Sequence, residues 1–162
     1  MKLNLGCGRD VREGFVNVDQ YPFPGVTVCN MDTDPLPFPD GSVESVLASH
    51  FLEHVLHFDR VMREIHRVLA PDGCLEVHVP YGLFGLENPY HRRAFTRRAV
   101  RQILSADNPD GVKTLEINER WKLIAYHVRH RIVPWLHKPK VGFDPWPWVY
   151  SAELTFVLEK VA

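Results

Sequence analysis

The feature that most constrains the fold is a series of short apolar segments, each of which ends at a glycine or a polar residue. Five such segments, rich in β-branched residues, have the length of a strand. They are residues 2–5, 15–19, 26–31, 43–49 and 74–79. Short strands separated by connecting segments are typical of an α/β protein with a parallel sheet, so we expect that fold class here.

Helical periodicity and two long final strands complete the pattern. Apolar residues recur at helical spacing from Phe58 to Leu69, and the Pro-Asp-Gly sequence at 71–73 predicts the end of that helix. Thr96 is a suitable N-cap for a second helix. Residues 121–131 and 152–161 predict strands, joined by a loop rich in Pro and Trp at residues 134–147. We therefore expect seven strands, mostly parallel with an antiparallel C-terminal strand, in a single domain spanning residues 1–162.

Charge and cysteine content limit the class of protein. The formal net charge of −1 excludes nucleic-acid binding that rests on charge alone. Residues 1–80 hold 6 basic and 12 acidic residues, whereas residues 81–162 hold 13 and 8, so the second half can attract an anionic acceptor. We find no apolar run of the ~20 residues that a membrane span needs, and no secretory segment. Three widely spaced cysteines are typical of free thiols, which predicts a cytoplasmic protein.

Residues with binding chemistry follow four of the predicted strands. Gly6 and Gly8 can form a tight turn that a ligand approaches closely. The alternative is a turn that has no role in binding. Asp19 can accept hydrogen bonds from both hydroxyls of a ribose, or be a solvated strand-end carboxylate. Asp32, followed by Thr33, can accept a hydrogen bond from an adenine amino group, or form a turn. The fourth strand leads into Ser49 and His50. Because strand ends meet at one edge of a parallel sheet, we expect these residues to share one site.

Together these motifs resemble the class I S-adenosylmethionine-dependent methyltransferases, most closely the small type 11 group. The matching stretches are LNLGCG at 3–8, GFVNVD at 14–19, DTDPLPFPDGSVESVLASHFLEH at 32–54, REIHRVLAPDG at 63–73 and LEVHVP at 75–80. The resemblance implies a doubly wound, Rossmann-like sheet and S-adenosylmethionine as cofactor, with S-adenosylhomocysteine as product. It also implies methyl transfer to a small-molecule or sugar-like acceptor.

The resemblance also implies a cofactor-binding role for particular residues. Gly6, Cys7 and Gly8 would line the methionine part of the cofactor, and Asp19 would bind the ribose. Asp32 and the Thr33 backbone would bind the adenine. Ser49 and His50 would lie on the sulfonium side.

Three departures from the family pattern stand out. Asn4 occupies a position at which the family has an acid. Gly6 and Asp19 are too close in sequence for the full helix that usually joins the first two strands, so we expect a short turn at residues 9–14. The chain also starts directly at the first strand, which predicts that the N-terminal helices covering the substrate in larger members are absent.

The segment after the fifth strand, residues 80–95, is the candidate acceptor wall. His91 can act as a general base, because its unperturbed pKa lies near neutrality, or pack within a loop. Tyr81 and Tyr90 can orient an acceptor. Five arginines in the same region suit an anionic acceptor or a solvated helix face; they are Arg92, Arg93, Arg97, Arg98 and Arg101. The aromatic loop that ends at Trp148 suits a lid, a homodimer interface or packing on the sheet.

Three other functions fit parts of the sequence. His50, Glu53 and His54 match the H-x-x-E-H pattern of zinc hydrolases, which needs a helix to bring both histidines to one metal ion. The methyltransferase resemblance explains this stretch without a metal, so we assign no metal ligand. A nicotinamide dehydrogenase would need a third glycine where Val11 stands. The third alternative is a cofactor-binding subunit that is inactive or needs a partner chain.

Overall fold

A computed structural model describes residues 1–86, 88–104, 121–134 and 148–160. Seven strands form one sheet in the order β3-β2-β1-β4-β5-β7-β6. The strands are β1 (Lys2–Leu5), β2 (Val16–Asp19), β3 (Val26–Val28), β4 (Val43–Ser49), β5 (Leu69–Pro80), β6 (Trp121–Pro134) and β7 (Trp148–Lys160). Strands β1 to β5 pair in parallel, and β7 is antiparallel to both of its neighbours, β5 and β6. The predicted mostly parallel, seven-stranded sheet is therefore confirmed.

Within the described residues, two α-helices follow β4 and β5. Helix α1 (Phe58–Val68) buries Val61, Met62, Ile65 and Val68, as its apolar periodicity predicts. Helix α2 (Arg97–Leu104) begins after Thr96, whose hydroxyl accepts a hydrogen bond from the amide of Ala99 at 3.1 Å, which confirms the predicted N-cap. A 3₁₀ helix, Gly82–Leu86, lies between β5 and α2.

The connections among the first four strands contain no helix. Residues 6–15, 20–25 and 29–42 are all described, and all are turns, bends or extended chain. The short first crossover that the sequence predicts is therefore present, and the next two crossovers are equally reduced. These loops follow the carboxyl ends of β1, β2 and β3, which is the edge at which such sheets bind ligands.

One apolar core lies between the sheet and the helices. Along β5, Leu75, Val77 and Val79 are buried, whereas Glu76 between them is exposed. Residues of β1, β4 and β7 join this core with both helices; among them are Leu3, Leu5, Val46, Ala48, Leu154, Phe156 and Val100. The alternation of buried and accessible residues fixes the register of the sheet, because a shift by one residue would expose every core side chain.

Several boundaries differ from the sequence predictions. Strand β5 begins at Leu69, where it pairs with Val43, and not at Cys74. The predicted third strand ends at Val28 because the chain then turns around Asn30, whose carbonyl accepts the amides of Thr33 and Asp34. Pro134 pairs with Trp148, so both residues belong to the final hairpin and not to its loop. Residues 135–147 of the predicted loop lie outside the described residues.

Candidate functional site

A cleft of about 990 Å³ lies at the carboxyl ends of the first strands. Each of the strands β1, β2, β3 and β4 contributes residues at or after its carboxyl end to the lining, and residues 89–92 complete it. The lining consists of Gly6, Gly8, Arg9, Val18, Asp19, Gln20, Tyr21, Phe23, Cys29, Asn30, Met31, Asp32, His50, Phe51, His54, Val55, Pro89, Tyr90, His91 and Arg92. Five of the eight residues assigned to the cofactor from the sequence are in this set: Gly6, Gly8, Asp19, Asp32 and His50. The structure thus brings together residues from four separate strand ends.

The turn after β1 depends on its two glycines. Gly6 and Gly8 have φ angles of +62° and +51°, a region that L-residues with side chains rarely adopt. A Cβ on Gly6 would lie 2.3 Å from Cδ2 of Phe51, so Phe51 packs directly against this glycine. A Cβ on Gly8 would meet nothing within 4 Å. Gly8 therefore leaves an open space at the cleft, where a ligand can approach the backbone.

Asp19 holds the glycine turn from the end of β2. Its Oδ2 accepts a hydrogen bond from the amide of Gly8 at 2.8 Å, and its Oδ1 accepts one from the amide of Tyr21 at 3.0 Å. Each carboxylate oxygen can accept a further hydrogen bond. Asp19 can therefore fix the loops on both sides of the cleft and still bind a ligand hydroxyl.

Two buried asparagines brace the shortened crossover. Asn4 is 2% exposed, and its Nδ2 donates to the carbonyl of Asp10 at 2.8 Å and to Oδ1 of Asn17 at 2.9 Å. The same Oδ1 accepts the amide of Arg12, and Asn17 Nδ2 donates to the carbonyls of Arg12 and Phe15. These bonds satisfy backbone groups that an interstrand helix would otherwise pair. The departure from the family at Asn4 thus accompanies the missing helix.

Cys7 and Asp32 support the cleft in different ways. The Cys7 side chain is buried and does not line the cleft, and burial together with the nearby Asp19 carboxylate raises the pKa of its thiol. Asp32 lines the cleft, and its Oδ1 accepts hydrogen bonds from the amides of Leu56 and His57, each at 2.8 Å. This contact anchors the segment that leads into α1, whose N-cap residue His57 makes no side-chain cap bond. Thr33 is exposed, bonds to Asn30 and Asp34, and does not line the cleft.

His50 lies in a strained turn at the end of β4. Its φ is +50°, and its amide donates to the carbonyl of His78. The imidazole lies between two carboxylates, with Nδ1 3.3 Å from Glu53 and Nε2 3.3 Å from Glu153. These acids raise the pKa of His50, with Glu53 the larger cause, although partial burial opposes the shift. Ser49 pairs within the sheet and does not line the cleft.

The predicted acceptor wall only partly faces the cleft. His91, Tyr90 and Arg92 line it, and the ring of Tyr90 is 79% exposed. Tyr81 is not among the lining residues; it packs against the apolar core, and its amide donates to the carbonyl of Ala152. Of the two residues named as catalytic candidates, His91 lines the cleft and Tyr81 does not.

Three of the five clustered arginines have different surroundings. Arg93 is half-buried and donates from Nη1 to the carbonyls of Leu52 and Val55, and desolvation lowers its pKa. Arg97 donates to the hydroxyl of Tyr126. Arg92, by contrast, is exposed and lines the cleft. Of these three, Arg92 alone is directed to the site.

Several lining residues were not predicted from the sequence. Phe51 covers Gly6, and the guanidinium of Arg9 lies 5.5 Å from the ring centroid of Phe23. His54 packs edge-on against His91 with ring centroids 4.6 Å apart. No periodicity marks Arg9 or Phe23, whereas the Glu53-His54 pair was visible as part of the H-x-x-E-H pattern. That pattern is not helical here, because residues 50–57 form bends and turns, so the zinc-hydrolase alternative loses its geometric basis.

Among the described residues, no helix is long and apolar enough to cross a membrane. The three cysteines, Cys7, Cys29 and Cys74, are free thiols.

One known family matches the N-terminal part of the chain. The sequence model of a methyltransferase domain, the type 11 family, matches residues 3–77. No curated protein sequence matches the chain. The family match covers the glycine turn, Asp19, Asp32 and the whole His50–His54 segment.

Solved structures of low sequence identity share the fold. An S-adenosylmethionine-dependent methyltransferase from Methanosarcina mazei superposes with a TM-score of 0.66 at 14% identity, covering 99% of this chain and 92% of that chain. The 1,6-didemethyltoxoflavin-N1-methyltransferase of Burkholderia thailandensis, crystallised with 1,6-didemethyltoxoflavin and S-adenosylhomocysteine, gives a TM-score of 0.60 at 16% identity, covering 99% of this chain and 71% of that chain. A chain of the Haloferax volcanii complex between the Trm112 methyltransferase activator and a methyltransferase gives 0.59 at 15% identity, covering 99% and 82%. The family match and these structures confirm the resemblance drawn from the motifs.

Proposed function

From the premise that this chain has the class I methyltransferase fold and matches the type 11 family over residues 3–77, we propose that it is an S-adenosylmethionine-dependent methyltransferase. The observation that carries the proposal is the convergence of Gly6, Gly8, Asp19, Asp32 and His50 on one cleft. These residues come from four strand ends and are far apart in sequence.

The cleft has features that fit the cofactor. The open space beside Gly8 admits a ligand close to the backbone, as the methionine part of the cofactor requires. Asp19 keeps acceptor capacity for ribose hydroxyls after bonding two amides. Asp32 lines the same cleft and would lie beside the adenine. In this proposal Cys7, Thr33 and Ser49 act through their backbone or through packing, since their side chains do not line the cleft.

When bound, the cofactor supplies a methyl group already activated on a sulfonium. The chain then has to align the acceptor, exclude water and, for a protic acceptor, remove a proton. Phe51 and Val55 supply apolar wall on the side of the glycine turn. His91 is the acceptor-side residue of this proposal, because it lines the cleft next to His54. Tyr81 is not part of it, since it packs against the core.

We propose a small-molecule acceptor, of which a sugar-like metabolite is one class. A cleft of about 990 Å³ is within the range of small-molecule sites. Among the structures that share the fold, the Burkholderia enzyme is named for a small-molecule substrate. The exposed Arg92 at the cleft is the group that would favour an anionic acceptor. Three free thiols support a reducing, cytoplasmic location.

A partner-dependent methyltransferase is the second candidate. Strand β6 is the last strand of the sheet, and Leu123 and Ile124 on it are 37% and 50% exposed. An edge strand with exposed apolar residues is suited to pairing with another chain, a second copy included. One structure with the same fold comes from a complex with a methyltransferase activator.

The test is turnover by the full-length chain. Purified protein is incubated with S-adenosylmethionine and a panel of hydroxylated, amino and acidic small molecules, and the release of S-adenosylhomocysteine is measured. We expect acceptor-dependent release that Asp19→Asn reduces at least tenfold, with Asp10→Asn as an exposed control. Release only after adding a cell extract fraction would support the partner-dependent form. Equal release by wild type and Asp19→Asn would contradict the proposed site.

A further inference from the structure

Glu53 is a buried carboxylate without hydrogen-bond partners. Its side chain is 1% exposed, and neither Oε1 nor Oε2 has a hydrogen-bond partner in the structure. His50 Nδ1 comes within 3.3 Å of Oε1, and the guanidinium of Arg93 is nearby but donates to the carbonyls of Leu52 and Val55. Burial of a carboxylate is unfavourable unless a charge or several donors compensate it. Oε1 thus faces the His50 imidazole, whereas the buried Oε2 has no partner and remains available to a cation.

Two histidines face this carboxylate from different segments. Ligand atoms of Glu53, His54 and His91 all lie within 4.8 Å of one another. The rings of His54 and His91 meet edge-on, with centroids 4.6 Å apart. The amide of Arg92 donates to the carbonyl of Glu53 at 2.8 Å, which holds the His91 segment against the Glu53-His54 segment. The three side chains are thus brought together by tertiary structure, not by a sequence motif.

Backbone carbonyls orient both imidazoles. Nδ1 of His54 lies 3.3 Å from the carbonyl oxygen of Tyr90, and Nδ1 of His91 bonds to the carbonyl oxygen of Gly85. A carbonyl can only accept, so each Nδ1 carries the proton and each Nε2 keeps its lone pair. Histidines that ligate metals are commonly fixed in this way through their second nitrogen.

We propose that Glu53, His54 and His91 form a binding site for a divalent transition-metal ion at the wall of the cleft. Two imidazole nitrogens and one carboxylate make a donor set that Zn²⁺ and neighbouring ions of the series accept. Two ligands that are each about 2.1 Å from an ion can be at most about 4.2 Å apart, so the potential ligand atoms, now within 4.8 Å of one another, would have to move closer on binding.

The ion would have open coordination positions toward the cleft. Three protein ligands leave at least one position of a tetrahedral site free, and both histidines line the cleft. This part of the inference rests on the proposed function: an acceptor oxygen could then bind the ion beside the cofactor. In the metal-bound protein His91 is a ligand, and its Nε2 is not a proton acceptor. The site differs from the H-x-x-E-H pattern, in which Glu53 would not be a ligand and His50 would.

The experiment measures Co²⁺ and Zn²⁺ binding by the full-length, tag-free chain after treatment with a chelator. Co²⁺ absorption between about 500 and 650 nm reports the coordination geometry, and calorimetry gives the stoichiometry and affinity for Zn²⁺. We expect one ion per chain. We also expect at least a tenfold loss of affinity in Glu53→Gln and in His91→Ala, and none in His127→Asn, an exposed histidine of β6. Circular dichroism shows whether each variant is folded, and His91→Ala tests the site independently of the contact between Glu53 and His50.

The outcomes separate the metal site from the cofactor site. Absence of stoichiometric binding, or binding that Glu53→Gln and His91→Ala leave unchanged, would overturn the metal proposal. S-adenosylhomocysteine binding is measured in parallel in the presence of chelator. If it persists while metal binding fails, the proposed function stands without the metal; if metal binds and S-adenosylhomocysteine does not, the proposed function is contradicted and the metal site is not.

Discussion

The amide of Gly8 donates a 2.8 Å hydrogen bond to Oδ2 of Asp19, so the carboxylate at the end of β2 determines the shape of the turn after β1. This bond links the two residues that the proposed cofactor site depends on most. It also explains how the turn keeps its shape without the helix that usually follows it. The glycine turn and Asp19 should therefore respond to mutation as one unit.

Gly6→Ala should mainly lower the stability of the fold, whereas Gly8→Ala should mainly lower the affinity for the ligand. Both substitutions place a side chain at positive φ, at a cost of about 1–2 kcal/mol. The new Cβ at Gly6 would also overlap Phe51, so we expect a loss of several kcal/mol in the free energy of unfolding. At Gly8 the Cβ meets nothing, so stability should fall only by the backbone term while ligand affinity falls sharply. Urea denaturation and calorimetry distinguish the two; equal stability losses would contradict this account.

Asn4→Asp would restore the acid that the family has at this position, yet it should destabilise this chain. An aspartate cannot donate to the carbonyl of Asp10 or to Oδ1 of Asn17, and the site is buried. We expect a loss of about 2–4 kcal/mol in the free energy of unfolding at neutral pH. The measurement is urea denaturation, with Asp10→Asn as an exposed control. An unchanged midpoint would mean that the asparagine pair does not brace the crossover.

Arg67 and Glu64 should make stability depend on pH. Arg67 donates to the carbonyls of Leu36 and Phe38, to Asp40 and to Glu64, which ties the helix-free crossover after β3 to α1. Hydrogen bonding to Arg67 lowers the pKa of Glu64 from its usual 4.5. A carboxylate with a lowered folded-state pKa stabilises the fold above its unfolded pKa, and this contribution is lost as pH falls through the folded pKa.

In Glu64→Gln, the free energy of unfolding should therefore fall less steeply than in wild type as the pH drops below about 5. At pH 7 the same variant should be less stable than wild type by about 1 kcal/mol. Glu13→Gln, at an exposed position, is the matched control. The measurement is the urea midpoint between pH 3 and pH 7. If the urea midpoints of wild type and Glu64→Gln changed with pH in parallel, Glu64 would not be a source of the pH dependence.

The cysteines should differ in reactivity. Cys7 and Cys29 are buried, and desolvation raises the pKa of both thiols, whereas Cys74 is partly accessible. Reaction depends on the exposed thiolate, so a thiol reagent at pH 8 should modify Cys74 first. The other two should react only as the protein unfolds. Mass spectrometry of the time course tests this, and early labelling of Cys7 would show that the turn after β1 opens readily.

Much of the fold follows from local sequence patterns. Strand β4 has the predicted bounds, Val43–Ser49, because apolar alternation and flanking turn residues agree there. The final hairpin extends past its predicted ends to Pro134 and Trp148, because interstrand hydrogen bonds override the low strand propensity of proline at an end. The early start of β5 at Leu69 likewise depends on pairing with Val43, which local propensity does not encode.

The convergence of Gly6, Asp19, Asp32 and His50 on one cleft was predictable because each residue lies at or after the end of a parallel strand. The acceptor side was not. His91 meets His54 and Glu53 only after the segment following β5 folds back, and nothing in the spacing of these residues indicates that contact. Tyr81 follows β5 as directly as His50 follows β4, yet its side chain belongs to the core. Loop conformation, not strand topology, decides such cases.

Calorimetric titration of the full-length chain with S-adenosylhomocysteine tests the central claim most directly. The account predicts one binding site per chain, with affinity reduced at least tenfold in Asp19→Ala because that carboxylate both shapes the glycine turn and accepts the ribose hydroxyls. Asp72→Asn, an exposed residue at the start of β5, should bind as wild type does. A folded wild-type protein that binds no S-adenosylhomocysteine, or an Asp19→Ala variant that binds it equally well, would contradict the account.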